Sequence, residues 1–433
     1  MKVAFHTLGC KVNQYETEAI REEFEKNGFE TVKEDEYADV YVVNTCTVTN
    51  QADRKSRQYI RRMKKVNPSS VMIATGCYVQ MDSEELLKLD EIDLLIGNNL
   101  KSLIYEKTME LLSGRYMDNP YILPYEKLST YEDMGMVTSI EARTRAYIKI
   151  QEGCNRFCSY CIIPYARGQV RSRNIEEIEL EAKLLIDKGF KEIVLTGINT
   201  ALYGVEFGET IELAVKTVCE LPGDFRVRLS SLEPTVVDIK GVNNLLKYDK
   251  LCHHLHLSLQ SGSNDVLKKM NRKYTREEYL AIVKILREFD PCYNITTDII
   301  VGFPGETDED FEDSLDMVRK ACFGKVHGFK FSSRHGTKAS LMKNTIDGRI
   351  KNVRIDNLLN LSEQVASEFR ENNLGRITGV LFEEYEEGLL AGYTENYIKV
   401  YVKGEEKLLA SINKVKLVDK YKDGCFGEIA EKG

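Results

Sequence analysis

Cys154, Cys158 and Cys161 lie within eight residues, spaced three and then two apart, in the stretch Gly153-Cys154-Asn155-Arg156-Phe157-Cys158-Ser159-Tyr160-Cys161. A 4Fe-4S cluster is ordinarily held by four thiolates. A compact triple with no fourth cysteine nearby therefore predicts a cluster with one iron left open to a substrate or cofactor. A zinc knuckle, or three ordinary buried thiols, would share the spacing. A closed zinc site wants a fourth Cys or His, however, and Cys219 and His253 stand far along the chain.

A second set is spread more widely. Cys10, Cys46 and Cys77 are separated by 36 and 31 residues, and each follows a short apolar run: Gly9-Cys10 after Val3 to Leu8, Thr45-Cys46 after Val40 to Asn44, and Gly76-Cys77 after Val71 to Thr75. If the runs are parallel strands, all three thiols emerge on the edge where open α/β sheets bind ligands. Core cysteines would sit within the strands. Gly9 and Gly76 fit as residues that let the backbone turn closely around a bulky ligand. The expectation is a second three-thiolate iron-sulfur cluster, again with an open iron.

The elements that must position these thiols follow from periodicity. Helices over Tyr15 to Asn27, Arg54 to Lys65, Glu84 to Leu89 and Lys101 to Leu112 alternate with those strands and a fourth at Ile92 to Ile96, which predicts a doubly wound parallel sheet over residues 1–113. Asn119-Pro120 and Leu123-Pro124 mark residues 114–139 as a linker. From Ala146 the alternation resumes, with strands at Ala146 to Ile150, Glu192 to Leu195, Arg226 to Leu229, His254 to Leu259, Ile295 to Val301 and Val326 to Phe331. Helices are clearest at Glu176 to Lys188, Arg276 to Phe289 and Asp308 to Lys320. Six units are too few for the eight-unit barrel and suit a partial (β/α)6, TIM-like barrel over 140–372, with chemistry at the carboxyl ends of its strands. The Cys154 triple follows the first of these.

On the fourth barrel strand His254, His256, Ser258 and Gln260 alternate with three leucines, so the polar set should face the lumen. The Gly302-Phe303-Pro304-Gly305 loop can approach a flat ligand, with Glu306 or Asp308 capping the next helix. Lys351 to Asn372 reads as a long amphipathic helix. Residues 373–433 read as short strands at Ile377 to Phe382, Leu389 to Ala391, Tyr397 to Val402, Leu408 to Ile412 and Lys414 to Leu417: a small all-β barrel of a kind that grips nucleic acid. Its charge is unhelpful there, with nine basic and eleven acidic residues from Arg376 onward.

At 433 residues, 42% hydrophobic and 30% charged, the chain has room for two or three ordinary domains. No charged-then-apolar leader follows Met1 and no apolar run approaches a membrane span, so the expected location is the cytoplasm, with no membrane partner. Reducing conditions there turn clustered cysteines toward metal binding or catalysis. The net charge of -8 gives no global sign of nucleic acid. The helix carrying Arg54, Lys55, Arg57, Arg61, Arg62, Lys64 and Lys65 is a local exception, either a solvated face or a set of phosphate contacts.

The Cys154 triple resembles the signature of radical S-adenosylmethionine enzymes, and the Cys10/Cys46/Cys77 set resembles that of the methylthiotransferases among them. Thr7-Leu8-Gly9-Cys10-Lys11-Val12-Asn13-Gln14 and Cys161-Ile162-Ile163-Pro164-Tyr165-Ala166-Arg167-Gly168 are most similar to the threonylcarbamoyladenosine tRNA branch. The resemblance covers nearly the whole chain and implies a TRAM-like domain at the C-terminus. It further implies two 4Fe-4S clusters, S-adenosylmethionine, and a radical that abstracts hydrogen from C2 of the adenine of N6-threonylcarbamoyladenosine next to the tRNA anticodon. Sulfur from the Cys10/Cys46/Cys77 cluster would then be inserted, with a methyl group from a second S-adenosylmethionine and electrons from a donor such as flavodoxin or ferredoxin. By position, Tyr160, Gly197, Asn199, Ser231, Glu233, Gln260 and Gly302 would line the cofactor pocket, and Arg167, Arg171 and Arg173 would bind the cofactor carboxylate or RNA phosphate. The same chemistry on isopentenyladenosine or on a ribosomal protein side chain, or a non-catalytic RNA-binding iron-sulfur protein, are the alternatives.

Overall fold

The computed structural model describes residues 1–115, 119–137, 144–234 and 239–430. By contact the chain divides into two compact units that do not follow chain order. The first comprises Met1–Ile140, Lys149–Arg173 and Ser332–Ser340; the second Glu141–Ile148, Asn174–Phe331 and Leu341–Gly433. The Cys154 loop thus packs with the N-terminal sheet. Residues 116–118 and 138–139 of the expected linker lie outside the described residues. Its described middle is well packed, with Leu128 and Val137 fully buried and Glu132 accepting from the Ser102 amide at 2.8 Å.

In the first unit, β1 (Lys2–Thr7), α1 (Lys11–Lys26), β2 (Glu30–Val32), β3 (Val40–Thr45), α2 (Asn50–Val66), β4 (Val71–Gly76), α3 (Cys77–Leu86), β5 (Leu94–Ile96) and α4 (Ile104–Leu112) build an all-parallel sheet of order β2-β1-β3-β4-β5. β3 and β4 are buried almost end to end, as expected of strands covered by helices on both faces. The edge strand β2 was not expected: three residues are too few for alternation to register. Its presence places β1 and β3 side by side with their neighbours running off in opposite directions, a topological switch point where doubly wound sheets bind ligands. The third helix also differs from expectation. It begins at Cys77 and not at Glu84, because Gly76 at φ 99° turns the chain directly from strand into helix. In α2, Thr49 caps the amino end, and Ser56, Tyr59, Ile60 and Met63 form the buried stripe at helical spacing.

β6 (Arg145–Glu152) runs from the second unit into the first, where α5 (Ile163–Arg167) and β7 (Arg171–Ser172) follow the cysteine loop. The second unit continues with α6 (Ile175–Asp187), β8 (Glu192–Gly197), α7 (Ile211–Cys219), β9 (Arg226–Leu229), β10 (Ser231–Leu232), α8 (Ile239–Leu245), β11 (His254–Leu257), α9 (Asn264–Lys269), α10 (Arg276–Phe289), β12 (Asn294–Val301), α11 (Asp308–Ala321) and β13 (Lys325–Lys330). The pairs β8 with β9, β10 with β11, β11 with β12 and β12 with β13 are all parallel. Thr307, rather than Glu306 or Asp308, caps α11, through a reciprocal capping box with Asp310. Glu306 turns back to accept from the Gly302 amide at 2.6 Å and to pair with Arg354 at 2.5 Å.

After α12 (Gly348–Glu371), β14 (Ile377–Glu386), β15 (Leu389–Thr394), β16 (Lys399–Lys403), β17 (Ile412–Tyr421) and β18 (Gly424–Ile429) close a five-stranded barrel of order β14-β15-β16-β18-β17. The strand expected at Leu408 to Ile412 is absent, because the chain turns there through Glu406–Leu408. β17 is longer than expected and hairpins through Lys422-Asp423 into β18.

Candidate cluster and cofactor sites

Cys10 caps α1 directly beyond β1, Cys46 follows β3, and Cys77 opens α3 beyond β4. A methyl group on Gly9 would come within 3.0 Å of the Cys46 sulfur, so glycine is what allows these two loops to approach. Cys46 and Cys77 are buried and Cys10 is the most open. Burial pushes the Cys46 thiol up to about 12, and the nearby thiols of Cys77 and Cys10 add to the shift. Burial also raises Cys10, with Arg167 opposing.

The Cys154 loop is pinned at both ends. Gly153 at φ 69° and Gly168 at φ 74° bring two backbone segments together, and the Cys154 amide donates to the Gly168 carbonyl at 3.1 Å. Within the loop the Cys161 amide donates to the Cys158 carbonyl at 2.9 Å, and the Ser159 carbonyl accepts from the Ala339 amide at 2.7 Å. The three thiols are half-buried, and Tyr160 shares that partial exposure.

Between these two cysteine sets lies a buried ionic network. Glu16 pairs with Lys101 and Arg167, and with Lys149 at 3.8 Å. Glu152 pairs with Lys149 and Arg171, each at 2.8 Å. Arg171 and Arg173 do not serve as phosphate contacts: only 3% and 2% exposed, they are framework. Arg171 donates to Glu152 and to the carbonyls of Leu128 and Arg167, so both of its terminal nitrogens are engaged inside the unit. Arg167, 1% exposed, likewise turns inward, to Glu16, Asn13 and Cys77.

In the second unit the other expected positions gather at the carboxyl ends of the strands. Asn199, just past β8, donates to Glu233 at 2.8 Å. Ser231 bonds Ser258 at 2.9 Å. Gln260 sits at φ 69°, its amide donating to the Asp298 carbonyl and its carbonyl accepting from Ile300. Gly197 ends β8, and Gly302 follows β12 at φ 71°. The alternation read on β11 is present: Leu255, Leu257 and Leu259 are buried, while His256 faces Asp298 at 3.1 Å and His254 and His256 each bond the Thr296 hydroxyl at 3.0 Å. Burial opposes ionisation of Asp298, but His256, His327 and Ser258 outweigh it and hold the carboxyl below its usual range. Sequence reasoning passed over Arg272. It reaches Glu233 at 3.4 Å and the Ser258 carbonyl at 3.0 Å, stitching two strand ends together, and no local pattern marks it. On α2, Arg54, Lys55 and Arg61 are exposed, and half-buried Arg57 pairs with Glu85.

A family model described as "Radical SAM superfamily" matches residues 148–318, and one described as "Uncharacterized protein family UPF0004" matches residues 2–97. The chain is 41% identical over 99% of its length to "Threonylcarbamoyladenosine tRNA methylthiotransferase MtaB" of Bacillus subtilis (strain 168), covering 97% of that protein. The chain belongs to the radical S-adenosylmethionine methylthiotransferases. A protein of the same description from Aquifex aeolicus (strain VF5) is 41% identical over 94% of the chain and 98% of its own length. The tRNA-2-methylthio-N(6)-dimethylallyladenosine synthase of Alkaliphilus oremlandii (strain OhILAs) is 33% identical over 100% of the chain and 93% of its own length. In fold, the chain is similar to the radical S-adenosylmethionine methyltransferase TsrM of Kitasatospora setae, with a TM-score of 0.60 at 13% identity over 90% of this chain and 80% of that one.

The thiols of this methylthiotransferase fit iron-sulfur clusters on their surroundings. Cys77 sulfur accepts from Arg167 Nε at 3.3 Å and from Asn98 Nδ2 at 3.6 Å, donors that suit a thiolate far better than a neutral thiol. Among the described residues no three Cys, His, Asp or Glu side chains are drawn together as one bare ion requires.

Proposed function

We propose that this methylthiotransferase acts on tRNA, converting N6-threonylcarbamoyladenosine next to the anticodon to its 2-methylthio derivative. The observation that carries the substrate is the step in similarity between full-length relatives. Those named for threonylcarbamoyladenosine stand at 37 to 41% identity, and those named for dimethylallyladenosine at 33 to 35%. The geometry agrees with two cluster sites in one unit, one a three-thiol loop and the other a three-thiol sheet edge.

When bound, the two 4Fe-4S clusters and S-adenosylmethionine supply the radical chemistry and the sulfur. The chain supplies ligands and orientation. Cys154, Cys158 and Cys161 would hold the first cluster, and Cys10, Cys46 and Cys77 the second. Glu233, fixed between Asn199 and Arg272, presents a buried carboxylate suited to an ammonium group, and with Gly197, Ser231, Gln260 and Gly302 it would bind S-adenosylmethionine. Arg54, Lys55, Arg57 and Arg61 would meet tRNA phosphates, which position the substrate without reading its sequence. Electrons would come from a flavodoxin- or ferredoxin-class protein in the cytoplasm. No helix among the described residues is long and apolar enough to cross a membrane. The five-stranded barrel would act as a TRAM-like RNA-binding domain.

Nucleoside mass spectrometry of tRNA from a deletion strain tests the substrate. The 2-methylthio-N6-threonylcarbamoyladenosine peak should vanish and return on complementation. Its persistence, or a change confined to a ribosomal protein, would overturn the assignment.

A further inference from the structure

Arg167 stands six residues beyond Cys161, at the end of the short helix that leaves the first cysteine loop, yet its guanidinium reaches the opposite cysteine set. It is 1% exposed. Its Nε donates to Cys77 sulfur at 3.3 Å, one terminal nitrogen donates to Asn13 Oδ1 at 2.6 Å, and the other to Glu16. Asn13 in turn donates to the carbonyls of Leu8 at 2.7 Å and Thr45 at 3.0 Å, the backbone just ahead of Cys10 and Cys46. One side chain from the first cysteine loop therefore touches, directly or through Asn13, the loops carrying all three ligands of the second set.

Charge count gives the same answer independently. The joined network holds four buried cations, Lys101, Lys149, Arg167 and Arg171, against the carboxylates of Glu16 and Glu152. Glu132, buried nearby with its carboxyl raised first by burial and then by Glu152, still leaves one cation in excess when counted as a third carboxylate. Buried charge without a counter-charge is strongly disfavoured, and the group Arg167 touches on its remaining side is the Cys77 sulfur.

We propose that Arg167 is a positioning residue of the second cluster, donating an N–H···S hydrogen bond to the Cys77 thiolate and tying the first cluster's loop to the second cluster's site. A cationic donor to a ligand sulfur stabilises the reduced, more negative cluster and so raises its reduction potential. The proposal rests on the assignment of Cys10, Cys46 and Cys77 as cluster ligands.

The test uses the full-length chain with Cys154, Cys158 and Cys161 replaced by alanine, so that only the second cluster is read. After anaerobic reconstitution this protein should hold about four irons. Adding Arg167→Gln or Arg167→Lys should move the midpoint potential in potentiometric EPR to more negative values and alter the g-values. The lysine variant, which retains the charge facing Glu16, should fold in either case and fall between the other two. An Arg349→Gln control, at an exposed side chain of α12, should leave potential and spectrum unchanged. About four irons with the parent's potential and spectrum in the folded lysine variant overturns the role of Arg167 alone. No iron in the triple-alanine parent overturns the ligand assignment, and the proposal with it.

Discussion

Gly153→Ala offers a severe test of the Cys154 loop, because its cost can be worked from the backbone. At φ 69° an L-residue loses about 1 kcal/mol relative to glycine. The added methyl would also stand 1.7 Å from the Gln169 carbonyl oxygen and 2.8 Å from that of Gly168. Both are backbone atoms, so relief requires moving the 168–169 segment. That displacement breaks the Cys154 amide bond to Gly168 and the Gln169 amide bond to Leu128, each 3.1 Å and each contributing about 1 kcal/mol. The sum is about 3 kcal/mol, or on the order of a hundredfold loss in population of the native loop. Reconstituted Gly153→Ala protein should hold about four irons in place of about eight, with formation of 5'-deoxyadenosine from S-adenosylmethionine down about a hundredfold. Gly28→Ala is the matched control: φ is 83° but nothing lies within 4 Å of the added methyl, so only the conformational cost applies. A Gly153→Ala protein with full iron and undiminished cleavage would refute the reasoning.

In the second unit, Glu192 is fully buried beside Arg145, Arg226 and Arg228, with contacts of 2.6 Å to Arg226 and 2.7 Å to Arg228. Glu192→Gln leaves those cations short of a counter-charge and should destabilise the unit by about 3–5 kcal/mol in urea unfolding. Burial alone would raise the Glu192 carboxyl, but the three arginines hold it far below the usual range. Its stabilisation is complete above the unfolded value of about 4.3 and is lost as pH falls below it, so wild type should lose stability on acidification more steeply than the variant. On α2, replacing exposed Arg54 and Lys55 together by alanine should weaken tRNA binding and flatten the log Kd versus log salt plot by roughly one to two units; an unchanged slope would return this face to ordinary solvation. Thr307→Ala removes the cap of α11 and should cost about 1 kcal/mol, read as a shifted denaturation midpoint.

Much of the fold was legible because its signals are local. The thiol spacing, the glycines beside the cysteines, and the apolar runs that became β1, β3 and β4 are fixed by neighbouring residues and by the period of the element that carries them. What misled were segments whose fate is decided by distant partners. Leu408 to Ile412 has the composition of a strand but turns, while residues 424–429 become a strand by pairing with both β16 and β17. The three-residue β2 exists only because β1 offers it an edge, and without it the sheet has no switch point at the cysteines.

The sequence by itself determined that Cys10, Cys46 and Cys77 stand beyond strand ends and that Cys154, Cys158 and Cys161 share one loop after a strand, since that depends on spacing along one chain. Tertiary structure alone decided what the charges do. From the sequence, Arg167, Arg171 and Arg173 are expected to meet a cofactor carboxylate or RNA phosphate, because arginine in isolation belongs in water. Burial is tolerable for Arg167 and Arg171 only because Glu16, Glu152 and the Cys77 sulfur, contributed from residues 15 to 151 positions away, arrive to meet them. No pattern in the local sequence carries that information, because the energy of a buried charge lies in its partners.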